Sequence, residues 1–150
     1  MKYLFSFIIT IFLSVSALAA DRFELKIENN KIIHQDSDWE FLMHEHSYDF
    51  SISKRIDALD KDQFIVHSFI QFDHEYNYAA FDDPTYRIYT IGLLSCSRKA
   101  IMLLQQTYVK KNGEIQAIQK IPPNQYVSEL ELEDTARHQM YLKVCSGEMI

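Results

Sequence analysis

Two histidines that flank one glutamate are the residues whose types and spacing could bind a metal ion. His44, Glu45 and His46 end a run of alternating apolar and polar residues that begins at Trp39, and this alternation predicts a β-strand. On one strand, His44 and His46 would project from the same face, about 7 Å apart along it. Because histidine is the commonest metal ligand, the pair predicts a metal site. The alternative is the polar, solvated face of an antiparallel sheet.

Three aromatic residues, Tyr76, Tyr78 and Phe81, lie among acidic residues between positions 74 and 85. The strand pattern breaks in this segment, which predicts a long surface loop. Exposed aromatic residues on loops often anchor a binding partner. The alternative, which we favour, is that the loop joins two strands and its aromatic side chains cover the edge of the sheet. Partner binding through Tyr76, Tyr78 and Phe81 is the functional hypothesis for this loop.

Motifs of enzymes are scarce in the chain. It contains three glycines in 150 residues, so it has no glycine-rich loop for a phosphate. It also has neither a G-x-S-x-G elbow nor an H-E-x-x-H helix. The formal net charge is −6, and an acidic chain is a poor nucleic-acid binder. The sequence therefore predicts a protein that is not an enzyme, needs no cofactor and does not bind nucleic acid.

The first 19 residues predict a signal peptide. Lys2 gives a positive start, an apolar stretch runs from Tyr3 to Val15, and Ala17-Leu18-Ala19 has the small-x-small cleavage pattern. The apolar stretch is shorter than the roughly 20 residues that span a membrane. Asp21 follows the alanines in place of an acylated cysteine, so no membrane anchor is expected after cleavage. We expect an exported protein, periplasmic or secreted and associated with the cell surface, in which residues 20–150 form one domain.

Cys96 and Cys145 are the only cysteines of the chain. In an exported protein they are expected to form a disulfide, because the compartment is oxidising. A metal site or a reactive thiol is the alternative, but there is no C-x-x-C spacing and no histidine beside either cysteine. The bond would fasten the end of the last helix to the end of a strand.

The predicted architecture follows from hydrophobic periodicity. Asn112-Gly113 predicts a type I′ hairpin turn, and Ser128-x-x-Glu131 has the form of a capping box before a C-terminal helix. Apolar residues at helical spacing mark the packed stripe of that helix: Ala136, Met140, Tyr141 and Val144. The six predicted strands are Trp39–Glu45, Tyr48–Ile52, Phe64–Asp73, Tyr86–Ser95, Ile101–Val109 and Glu114–Ile121. The predicted fold class is α+β, a single antiparallel sheet of about six strands with the C-terminal helix packed on one face and one disulfide.

These features together resemble the surface-adhesin E family. The resemblance is carried by Cys96 at the end of a strand, Tyr108 in the next strand, Gly113 in a turn, a proline at 122 or 123, and a terminal helix ending in Val144-Cys145. Trp39 and the segment from Tyr48 to Ile52 look like the first half of that family's domain.

The family resemblance implies an exported bacterial protein with a protein partner. The founding member is an outer-membrane lipoprotein that binds host matrix and serum proteins such as vitronectin and laminin. The expected function is therefore a non-enzymatic binding module that mediates adhesion or protein binding at the cell envelope. The alternative is a periplasmic or secreted binder of a small ligand or a metal that uses the face carrying His44 and His46.

Overall fold

The computed structural model describes residues 23–122, 127–129 and 135–147, and of 127–129 only the backbone. The predicted signal peptide and Glu131 of the predicted capping box lie outside these residues. The described chain forms ten strands, a 3₁₀ turn at Asp36–Asp38 and one α-helix. In chain order the elements are β1 (Ile27–Glu28), β2 (Lys31–Ile32), β3 (Trp39–Glu45), β4 (Tyr48–Ser53), β5 (Asp57–Ala58), β6 (Gln63–Tyr76), β7 (Thr85–Ser95), β8 (Ala100–Val109), β9 (Ile115–Lys120), β10 (Val127–Glu129) and α1 (Ala136–Cys145).

Eight of the described strands form one antiparallel sheet. Its main path runs β10-β8-β7-β6-β4-β3, while β5 pairs with β6 and β9 pairs with β8 beside this path. The strands β1 and β2 form a separate two-stranded sheet. No helix in the described part of the chain is long and apolar enough to cross a membrane.

The predicted fold class is wrong. The described chain is mostly β, with an eight-stranded and a two-stranded sheet and a single short helix, instead of an α+β fold with one sheet of about six strands. The additional strands β5 and β10 have two and three residues, too few to show a period. The first hairpin turns at Asn29 and Asn30, both with positive φ, and attaches to the β8–β9 turn, where the Ile32 N–H donates to the Gly113 carbonyl at 3.0 Å.

Strand β6 lies at the centre of the sheet, as its apolar residues on both faces predicted. Its even-numbered residues, including Val66, contribute to the side of the sheet that α1 covers. Its odd-numbered residues, including Phe69, contribute to the opposite core. There the N-terminal segment packs through Phe23 and Ile32 against Trp39. Both faces of the central strand are therefore buried over much of its length.

The helix α1 packs on the sheet through the predicted stripe. Ala136, Met140 and Val144 are buried and join a core of sheet residues: Phe50, Ile52, Val66, Leu94 and Ile101. The helix begins later than the capping-box prediction, because Ser128 belongs to β10 and Thr135 is the N-cap, whose hydroxyl accepts from the His138 N–H at 3.2 Å.

The disulfide between Cys96 and Cys145 is present, with its Cα atoms 5.7 Å apart. It joins the last residue of α1 to the residue after β7, as the sequence predicted. At the other end of β8, the predicted hairpin is confirmed but its type I′ turn is wrong. Only Gly113 takes a positive φ, 86°, and its N–H donates to the Lys110 carbonyl at 3.0 Å.

Candidate functional site

A cavity of about 330 Å³ lies between the sheet and the N-terminal end of α1. Its floor carries Ser68, Thr90 and Gln106, which stand side by side on β6, β7 and β8 because Ser68 pairs with Thr90 and Thr90 with Gln106. Apolar side chains form most of its walls: Phe50, Ile70, Ile88, Ile101, Leu103 and Met140. The cavity thus combines an apolar body with one row of polar groups.

Residues at the turn between β3 and β4 and at the start of α1 form the mouth of this cavity. The Glu45 carboxylate accepts a hydrogen bond from the Ala136 N–H at 3.2 Å, which places a negative charge at the N-terminus of the helix, where it is favourable. The Tyr48 phenol hydrogen-bonds Glu45, and its pKa is raised by burial first and by this carboxylate second. Arg137 brings a positive charge to the same rim.

The three aromatic residues predicted to bind a partner come together with Phe72 and Tyr108. The predicted loop begins later than expected, because β6 continues to Tyr76 and only Tyr78 and Phe81 lie in the connection to β7. The ring centroids of Tyr76 and Tyr78 lie 4.7 Å apart, those of Phe72 and Tyr76 5.4 Å, and those of Phe81 and Tyr108 5.0 Å. We call these five residues the aromatic surface. Phe72 pairs with Tyr48 in register, so the aromatic surface lies on the same side of the sheet as the cavity.

The aromatic surface partly fits the interpretation we favoured from the sequence, in which these side chains cover the edge of the sheet. Phe72 is buried, and Tyr78 and Phe81 are partly buried by their neighbours. Burial raises the pKa of both Tyr78 and Tyr108. Tyr76 is different, because 52% of its surface is exposed. The loop residues Tyr78 and Phe81 therefore cover the sheet, while Tyr76 at the end of β6 presents an aromatic face to solvent, and the role of these residues in partner binding stays a prediction.

The predicted pair of metal ligands, His44 and His46, does not share a strand face. His44 lies on β3, but β3 ends at Glu45 and His46 occupies the turn with a φ of 49°. The premise that both histidines project from one strand face is therefore wrong, because β3 does not continue to His46.

His44 instead lies between two carboxylates. Its Nδ1 is 2.9 Å from Asp49 Oδ1 and its Nε2 is 3.7 Å from Asp73 Oδ2. These three residues could offer ligand atoms within 4.8 Å of one another. The hydrogen bond to Asp49 raises the pKa of His44 most, with Asp73 adding to it. Since both ring nitrogens face a carboxylate, the arrangement favours a protonated imidazole, whereas a metal ligand must be neutral.

A second histidine, His67, is buried on the face of β6 that points away from the cavity. Its ring lies 4.8 Å from that of Phe23, and burial lowers its pKa. Among the described residues, its Nδ1 is the one buried side-chain nitrogen or oxygen without a hydrogen-bond partner. A neutral ring suits this environment, because a buried charge would need a partner.

Sequence reasoning missed the cavity. One signal was available, since Ser68 interrupts the apolar series Phe64, Val66, Ile70 on one face of β6. A polar residue at such a position indicates either a buried hydrogen bond or contact with solvent or a ligand. The remaining wall comes from α1, which is far away in the sequence and whose position no local pattern reveals.

Comparison with known proteins found no match: no family model, no curated protein and no solved structure is significantly similar to the chain. The resemblance to the surface-adhesin E family therefore stays a prediction.

Proposed function

We propose that this chain is an exported, non-enzymatic binding module whose protein partner docks on the aromatic surface. The observation that carries the proposal is the convergence of Tyr76, Tyr78 and Phe81 with Phe72 and Tyr108 into one cluster that keeps Tyr76 half exposed. The resemblance to the surface-adhesin E family supports the same function, since its founding member binds proteins at the cell envelope.

The acidic character of the chain favours a protein partner with basic residues. The formal net charge is −6, and Asp82 is exposed next to Phe81 in the β6–β7 loop. Protein interfaces commonly place aromatic residues at a dry centre and polar residues on the rim. An acidic protein attracts a partner with Lys and Arg residues around an apolar centre, and this attraction accelerates the encounter.

The disulfide supports the exported location. Disulfides persist in oxidising compartments and are rare in the cytosol, and this one joins the only two cysteines of the chain. If the N-terminal segment is a signal peptide, mass spectrometry of the protein from its native cells will find an N-terminus at Ala20 or Asp21 without an acyl group. An intact Met1 would contradict export by this route.

Crosslinking and affinity capture from the native cell envelope test the proposed surface. We expect Tyr76→Ala to reduce recovery of the partner by roughly 30-fold, because an interface anchor contributes about 2 kcal/mol. Phe41→Ala is the matched control. Phe41 is 58% exposed, and its register with Ser51 and Phe69 places it on the opposite side of the sheet. Equal loss in both variants, or no loss in Tyr76→Ala, would refute the proposal.

A further inference from the structure

We propose that the cavity beneath the N-terminal end of α1 binds a small, uncharged amphipathic molecule about the size of one substituted ring. The five residues of the aromatic surface do not line this cavity. The inference is therefore independent of the protein-binding function proposed above, and either can fail without the other.

The size of the cavity selects a small ligand. Its volume of about 330 Å³ lies at the lower end of the roughly 300–1,000 Å³ range of small-molecule sites. Ile70, Ile88, Leu103 and Met140 surround the space, and apolar walls of this kind favour a ligand with a hydrocarbon body. A single substituted ring fits this volume, whereas a peptide does not.

The floor selects a ligand with a hydroxyl or a similar neutral polar group. Ser68, Thr90 and Gln106 form a polar row across three strands in an otherwise apolar face. The Gln106 side-chain carbonyl accepts from the Tyr108 hydroxyl at 3.2 Å. Ser68 and Thr90 line the cavity, and neither hydroxyl is a buried atom without a partner. A hydroxyl can donate one hydrogen bond and accept others, so both can bind a polar group of a ligand in the cavity.

The charges that the described residues place around the cavity disfavour a charged ligand. Among the described lining residues, the charged ones are Glu45 and Arg137 at the mouth, and they have opposite signs. Glu45 already accepts from the Ala136 N–H and from Tyr48. A charge placed deeper, between the floor and the apolar walls, would lose its hydration without gaining a counter-charge, which is strongly unfavourable. A neutral head group avoids this penalty.

Binding can be measured by NMR titration of the full mature protein with menthol and three analogues of the same ring. The analogues are menthane without a head group, menthylamine with a positive charge, and menthane carboxylate with a negative charge. We expect menthol to shift the methyl signals of Ile70, Ile88, Leu103 and Met140 and to show intermolecular contacts with them. The two charged analogues should bind at least roughly tenfold more weakly, since a buried charge lacks compensation.

Two double variants test the role of the polar floor. Ser68→Ala with Thr90→Val should weaken menthol binding by roughly three- to tenfold, as expected for two neutral hydrogen bonds, and should leave menthane binding unchanged. The matched control is Ser51→Ala with Thr107→Val, which removes two buried hydroxyls from the opposite side of the sheet. It should leave both affinities unchanged.

Three results would overturn the proposal. These are the absence of methyl shifts with menthol, equal or tighter binding of a charged analogue, and shifts confined to the aromatic surface. If the floor variant does not fold, the intermolecular contacts between menthol and the four methyl-bearing side chains of the unaltered protein decide the question. Contacts at these side chains support the site, and their absence refutes it.

Discussion

Loss of the disulfide should destabilise the whole fold and loosen α1 first. The bond closes a segment with a sequence separation of 49 residues. In the chain-entropy model, a loop of this length contributes about 4 kcal/mol, and removal of native disulfides from small exported domains costs roughly 2–5 kcal/mol. We therefore expect the free energy of unfolding to fall by this amount when Cys96 and Cys145 are both replaced by Ser.

The local effect follows from the length and the contacts of the helix. A ten-residue helix is marginal by itself, since isolated helices below about 12–15 residues are unstable in water. Without the bond, α1 keeps the packing of Ala136, Met140 and Val144 but loses its covalent attachment at Cys96. Hydrogen exchange should therefore show that the amides of α1 lose protection before those of β6, β7 and β8.

Urea unfolding with and without reductant measures the global effect. The parent protein should fall to the stability of the double Ser variant when it is reduced, and the variant, as its own control, should not respond to reductant. A change below about 1 kcal/mol in the parent would refute the entropic argument. Simultaneous loss of protection in α1 and the central strands would refute the view that the helix opens separately.

Three further predictions concern single positions. Gly92→Ala should lower the free energy of unfolding by about 1–3 kcal/mol, because the added Cβ would lie 2.5 Å from Cδ1 of the buried Ile101. Combining it with Ile101→Val should recover part of this loss in urea unfolding. No recovery would contradict the steric cause. The free energy of unfolding should fall as the pH is lowered through 6.5, because burial lowers the pKa of His67 and the unfolded chain then binds more protons than the folded one. His67→Gln should make the free energy of unfolding less dependent on pH in this range. An unchanged pH dependence would exclude His67 as a cause. NMR titration should find the pKa of His44 above 6.5, and Asp49→Asn should lower this pKa. If zinc raises the melting temperature of the parent protein but not of His44→Ala, a metal site at His44 would be favoured over a protonated imidazole.

The long strands could be predicted from the sequence because their alternation reports burial directly. Trp39–Glu45 has the same bounds in the prediction and in the structure, and β6 divides its residues between two cores as its pattern indicated. The short strands could not be found in this way. Strand β10 is defined by the pairing of its three residues with Ala100–Met102 on β8. This pairing joins segments that are far apart in the sequence, so no local pattern reveals it.

The candidate site was less predictable because its parts are distant in the sequence. Tyr78 meets Tyr108, 30 positions away, through the β6–β7 and β7–β8 pairings, which no local pattern encodes. The premise that His44 and His46 share a strand face was wrong for a different reason. The turn after Glu45 contains neither Gly nor Pro, yet His46 takes a positive φ, which is uncommon for residues other than Gly. The metal hypothesis placed His46 on the strand face, one residue beyond Glu45, where both the predicted strand and β3 end.

Both candidate binding regions lie on the same side of the sheet, and α1 is short enough to leave room for both. Its ten residues span roughly 15 Å at 1.5 Å per residue, whereas the 14 residues of β6 extend over roughly 46 Å. The helix can therefore cover only about a third of that strand. Its C-terminal end is fixed beside β7 by the disulfide, so the uncovered part must lie toward the end of β6. The aromatic surface covers the far end of that strand, and the cavity lies at the N-terminal end of the helix, lined by residues outside the aromatic surface.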